Sequence, residues 1–196
     1  ATILQSRHQF AESRRALQAI LQRDPDNAQG WLTLSSVALV QGDMREAQRA
    51  CAHLLGGYDA LVAAGCIAAR ATVTGNARDG LQVLQSLLQE QAREDPFIHS
   101  WAHGLMADAA KALGQTRRAD TEFRTALQLT PGDNFLIADY ADFLLDQGLA
   151  REALELTRGY AQSDTSFLRQ VLAESALGLP QARADIAAMA SRFRDL

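Results

Sequence analysis

The chain has 196 residues and a formal net charge of −4; 47% of it is hydrophobic but only 6% aromatic. That length allows one or two soluble domains with a sizeable core, built mainly from Ala, Leu and Val. The mild acidity argues against a general nucleic-acid binder, and the longest charge-free apolar stretches, Gly30–Gly42 and Leu61–Ala69, fall short of the ~20 residues a membrane span needs.

Taken in chain order, the first predicted helix of any length runs from about Phe10 to Gln22 and is closed by Asp24-Pro25-Asp26-Asn27. Proline lacks an N–H and disfavours helical geometry in the residue before it, so it ends a helix. Next, Trp31, Leu34, Ser35 and Ala38 fall on one helical face. Gly42 turns the chain, and Ala47, Cys51 and Leu54 form a second face. A turn is predicted at Gly56-Gly57-Tyr58-Asp59. The pattern then repeats. Ile67, Ala68 and Ala71 precede Gly75, and Gly80, Leu84 and Leu87 follow it. After an insertion of some five residues within Gln91–Pro96, a third copy turns at Gly114 and shows Ala119, Phe123 and Ala126 before Pro131. In a fourth, Ile137, Tyr140, Ala141 and Leu144 precede Gly148, and Ala153, Thr157 and Tyr160 follow. A last helix pair is expected over Thr165–Leu177 and Pro180–Phe193, with Ala182, Ile186 and Met189 on its inner face. The turn glycines Gly42, Gly75, Gly114 and Gly148 stand 33, 39 and 34 residues apart.

This register resembles the tetratricopeptide repeat family, whose helix-turn-helix of ~34 residues carries Trp, Leu, Gly, Tyr, Ala, Phe, Ala and Pro at fixed positions. Trp31, Leu34 and Ala47 match it, as do Ala119, Phe123, Ala126 and Pro131. The second full copy departs from it, with Ala64 in place of Trp and Gly80 in place of Ala. The resemblance implies an all-α, right-handed superhelical solenoid of antiparallel helix pairs. Its units would be a partial repeat over 1–27, repeats over 28–60, 61–96, 97–133 and 134–163, and a terminal helix pair over 164–196. The repeat ending at Pro25 should begin before residue 1, so a longer parent chain is expected. Lys111 is the sole lysine among many arginines, which with the Ala richness hints at GC-rich bacterial coding.

No catalytic constellation stands out. There is neither a Gly-x-Ser-x-Gly elbow nor a Gly-rich phosphate loop. His99 and His103 have half-site spacing for zinc but lack a third ligand, so neither a metal nor another cofactor is expected. Cys51 and Cys66 are placed at matching heights on adjacent antiparallel helices. They could pair, because Ala63, Ala64 and Gly65 permit close approach; the alternative is two buried thiols. A disulfide would point to an exported or periplasmic location, and free thiols to the cytoplasm.

In the family, the first helix of each repeat lines a concave groove. Carried over by position, that groove would present Gln29, Leu32, Ser36 and Leu39, then Val62, Gly65, Ala69 and Thr72, then Trp101, Gly104, Asp108 and Lys111, then Phe135, Ala138, Asp142 and Leu145. The resemblance therefore implies a non-enzymatic scaffold for a protein or peptide partner. The two aromatics are expected to bind rather than to stabilise, and the two carboxylates to favour a partner with a basic residue. Apolar array ends at Ile3, Leu4 and Phe193 support a different reading, an assembly module that joins other domains or copies of itself.

Overall fold

The computed structural model describes residues 2–55, 60–90 and 95–192. Among the described residues there are twelve α-helices and one 3-10 turn, with no strand. They are α1 (Thr2–Ser6), α2 (Phe10–Arg23), α3 (Ala28–Val40), α4 (Met44–Leu54), α5 (Ala60–Val73) and α6 (Ala77–Glu90), followed by α7 (Pro96–Ala112), α8 (Thr116–Leu129), α9 (Asn134–Asp146), α10 (Ala150–Thr157), α11 (Asp164–Ala176) and α12 (Ala182–Arg192). The predicted turn at 56–59, most of the predicted insertion (91–94) and Phe193 lie outside the described residues.

One device builds each tight corner. Gly42, Gly75, Gly114 and Gly148 all adopt positive φ, between 68° and 85°, and Gly178 joins them at 65°. The left-handed conformation lets the next amide reach back to a carbonyl near the end of the helix. Asp43 N–H bonds Ala38 C=O at 2.8 Å, Gln115 bonds Ala110 at 2.9 Å, and Leu149 bonds Leu144 at 2.9 Å. These Schellman closures satisfy the orphan carbonyls at the helix end and reverse the chain within a few residues. Side-chain caps set several helix starts. Asn27 accepts from the Gly30 amide at 2.7 Å, Asp43 from Glu46, and Asp133 from Phe135 and Leu136. The Glu46 amide and the Arg14 guanidinium hold the Asp43 carboxyl below its ordinary pKa.

The chain forms two compact units, 1–119 and 120–196, divided within α8. In the first unit, Leu17, Leu21, Leu34 and Val37 form one buried cluster. Cys51, Leu54, Ala63 and Cys66 form a second, and Leu61, Ala68, Leu81, Leu84 and Met106 belong to a third. Gly80 is explained by close approach of α5 and α6: a Cβ there would stand 3.0 Å from Ala68 Cα. Cys51 and Cys66 form a disulfide with Cα atoms 5.5 Å apart, tying α4 to α5.

In the second unit Phe123 is almost fully buried between Tyr140 (ring centroids 5.2 Å) and Phe143 (5.5 Å). The Tyr140 hydroxyl donates to Asp120 at 2.6 Å, and Arg124 bonds Asp120 at 2.8 Å while lying over the Tyr140 ring. Burial opposes ionisation of Asp120, but the hydrogen bonds from Arg124 and Tyr140 outweigh it and lower its pKa. Burial and the bond to Asp120 push the Tyr140 phenol well above its ordinary value.

Two expectations need correction here. Tyr160 does not extend the second helix of its repeat. α10 ends at Thr157, whose hydroxyl bonds back to the Ala153 carbonyl, and Arg158–Tyr160 tighten into a 3-10 turn. That turn lets the Tyr160 hydroxyl donate to the Pro131 carbonyl at 2.7 Å. Ile186 does not lie inside α12's contact face. Ala182 is buried, but Ile186 is 50% exposed because no described element covers that part of the helix.

Candidate functional site

The first helices of three successive pairs, α3, α5 and α7, run side by side in the first unit and leave a trough of about 660 Å³. Leu32 and Leu39 line it from α3, Val62 and Ala69 from α5, and Phe97, Ile98, Trp101 and Leu105 from α7. Gln5 of α1 closes one end. At the other end Leu39, Ala69 and Leu105 also line an adjoining hollow of about 370 Å³ that reaches Thr72, Asp108 and Lys111. The two hollows form one continuous strip.

The trough's polar character is restricted in a specific way. None of its fifteen lining residues is charged, so no side chain there can pair with an ionised partner group. Its hydroxyls are engaged within the chain: Ser36 donates to the Leu32 carbonyl at 3.2 Å and Thr33 to the Gln29 carbonyl at 2.7 Å, both on their own helix, while Ser35 reaches across to α4, 3.5 Å from the Ala47 carbonyl. The Gln29 amide donates to Thr33 in turn, and Thr72 donates to Ala68 in the adjoining hollow. What remains is an apolar floor with a few scattered polar groups, the Gln5 and Gln29 amides and the Trp101 indole N–H.

Trp101 owes its position to a residue thirty-six places earlier. A Cβ on Gly65 would stand 2.3 Å from Trp101 Cη2 and 2.4 Å from Cζ3. The absent side chain of Gly65 is therefore the seat of the indole, and Trp101 is half-buried there. The expectation that Trp101 does not contribute to stability is corrected: its ring packs α7 against α5.

The structure brings together the predicted lining residues Leu32, Ser36, Leu39 and Trp101, with Asp108 and Lys111 in the adjoining hollow. Phe135, Asp142 and Leu145 belong to the second unit, where Phe135 is 72% exposed, Asp142 and Leu145 half-buried. Each carboxylate expected to attract a basic partner already faces a cation of this chain. Asp108 is paired with Lys111 at 3.3 Å, and Asp142 takes a bidentate contact from Arg169 at 2.9 and 2.6 Å. Both carboxylates have partners within the chain, and the hydrogen bonds that Arg169 donates to Asp142 raise its own pKa further. Sequence reasoning missed Phe97, Ile98 and Leu105; their spacing of four, three and four residues from Trp101 puts all three beside it on one face of α7. Among the described residues no group of three or more His, Cys, Asp or Glu is placed to hold a metal, and no helix is long and apolar enough to cross a membrane.

Solved structures match along nearly the whole chain. TTC0263, a thermophilic TPR protein of Thermus thermophilus, aligns with a TM-score of 0.70 and 18% identity over 91% of this chain and 95% of its own. The fold is that of the tetratricopeptide repeat. PilW, described as a widely conserved type IV pilus biogenesis factor, aligns with a TM-score of 0.68 and 16% identity over 98% of this chain and 90% of its own. A tetratricopeptide repeat protein from Parabacteroides merdae gives 0.65 and 15% over 97% and 75%. No protein-family model and no curated protein matches the sequence. At these identities the likeness is one of fold. Within this fold α3, α5 and α7 are each the first helix of a helix pair.

Proposed function

We propose that the chain is a non-enzymatic interaction scaffold and that the trough on α3, α5 and α7 is its partner-binding surface. One observation carries this reading. α3 contains no charged residue and α5 only Arg70, yet both helices leave apolar side chains facing the trough. A helix that is apolar on nearly every side is normally buried. The second helices of the same pairs, α4 and α6, carry their charges outward in the usual amphipathic way, apart from Glu46, which pairs with Arg14 of α2. The apolar strip is thus a property of one face, and a partner segment would complete its burial. The partner is a protein or peptide, with no role for nucleic acid.

Affinity capture of the native partner tests this. Ser36 is exposed on the trough side and Gln48 is exposed on α4. Ser36→Arg should lower recovery at least tenfold and Gln48→Arg should leave it unchanged, with equal thermal melts for both. Equal recovery would remove the trough from consideration.

Exposed apolar residues at the two ends, Ile3 at 71% and Ile186 at 50%, support end-to-end association as the second reading. Concentration-dependent size that Ile186→Asp abolishes and Ser36→Arg does not would favour it. The buried disulfide favours an oxidising compartment, hence an exported or periplasmic protein. PilW's part in pilus biogenesis is not carried over on a likeness of fold.

A further inference from the structure

Resting on the trough as the binding surface, the geometry points to its occupant: we infer a helical partner segment that presents an uncharged apolar face, not an extended peptide and not a basic one.

Charge decides the first part. A Lys, Arg, Asp or Glu seated in the trough would be stripped of water with no lining charge to meet it, since all fifteen lining residues are neutral. The charged residues nearby, Asp108 and Lys111, lie in the adjoining hollow and are paired with each other. Charged groups on the occupant therefore belong on its outward face.

The hydrogen-bond inventory decides the second part. An extended segment brings backbone N–H and C=O groups that need partners once buried. The hydroxyls of Ser36, Thr33 and Thr72 already donate to carbonyls of their own helices and one Gln29 N–H to Thr33, which leaves only the Gln5 and Gln29 amides and the Trp101 indole N–H, three scattered groups on three different helices, to serve a buried extended backbone. The helix backbones that form the floor have their own bonds and offer no edge for strand addition. A helix arrives with its backbone bonds already made, so it asks of the trough only apolar contact. Three helices packed about 8–10 Å apart make a strip about 20 Å across, which about 13 residues of helix would cover at 1.5 Å per residue. Apolar side chains at i, i+3 or i+4, and i+7 would meet Leu39, Val62, Ala69 and the exposed edge of Trp101 in turn.

A phage-displayed library of random 16-residue peptides, selected on the full chain with its disulfide intact, tests the inference. Enriched sequences should share an apolar i, i+3/i+4, i+7 pattern with no charge on that face. As synthetic peptides they should gain helicity on binding, and a central proline should weaken them more than tenfold. Ser36→Arg and Leu39→Glu should each weaken binding at least tenfold and Gln48→Arg should not; Ser36 is exposed, so its variant stays informative should Leu39→Glu fold poorly. Enriched peptides that depend on Ser36 but carry a fixed charge, or that tolerate proline, would overturn the helical, uncharged occupant and leave the trough as the binding surface. Peptides indifferent to Ser36→Arg, or no enrichment at all, would overturn both.

Discussion

Replacing Gly65 by Ala should destabilise the chain, and the same replacement in a Trp101→Ala background should stabilise it. In the interior of α5, exchanging Gly for Ala gains about 0.8–1 kcal/mol of helix propensity. Against that gain stands the indole: the new Cβ would fall 2.3 Å from Trp101 Cη2, far inside contact distance. The rigid ring must leave its seat, and forced repacking of this kind costs about 1–3 kcal/mol. The net effect is a loss of up to about 2 kcal/mol in the wild type. Without the indole the nearest remaining atom is Leu105 Cδ1 at 3.1 Å, the end of a flexible side chain, so most of the propensity gain survives. Trp101→Ala alone should cost about 2 kcal/mol, roughly half the value for a fully buried Trp, because the ring is only half-buried. Urea denaturation of the four proteins in this double-mutant cycle measures the coupling, expected at about 1–3 kcal/mol. If Gly65→Ala stabilises both backgrounds equally, the indole does not sit on Gly65, and the preformed wall of the trough goes with it.

Three further outcomes are expected. Phe123→Ala should cost about 3–5 kcal/mol, because the ring is nearly inaccessible between Tyr140 and Phe143, whereas Arg151→Ala on an exposed face should cost under about 0.5; equal Tm shifts would contradict the register. Cys51→Ala/Cys66→Ala should lower stability by about 3 kcal/mol, the chain-entropy value for a loop of fifteen residues, and mass spectrometry of unreduced wild-type protein should find the two cysteine peptides joined; two free thiols would refute the bond. Tyr140→Phe should destabilise by an amount that depends on pH. Asp120's pKa is lowered in the fold, so its contribution is present above the ordinary Asp value near ~3.9 and fades as pH falls through the folded pKa; the Tyr140 pKa is raised, so its contribution fades as pH climbs above ~10. A wild-type-minus-variant difference that is flat from pH 2 to 11 would show that the Tyr140–Asp120 bond does not form.

Much of the fold was legible because its corners require one residue type. A tight reversal that closes on a carbonyl of the preceding helix turn needs positive φ, so glycine recurs at Gly42, Gly75, Gly114 and Gly148, and the helix faces can be counted from it. The groove residues of α3 followed from the same count. Other features arise from pairs distant in sequence. Gly65 reads as a groove position and a point of close helix approach until Trp101 is seen lying on it. Asp142 reads as a free carboxylate until Arg169, on the next helix pair, closes on it. Arg124 reads as solvent-facing by helical spacing, yet its guanidinium turns back over the Tyr140 ring. Each follows from how one helix settles on another, which periodicity within a helix does not encode.

The most direct measurement of the central claim is site-specific photo-crosslinking in the native cell. A benzophenone amino acid placed at Ser36 faces the trough, and one at Gln48 faces outward from α4. The account predicts a discrete crosslinked partner from Ser36, lost when Leu39→Glu is added, and none from Gln48. A partner captured from Gln48 and not from Ser36 would place the binding surface on the opposite face and contradict it.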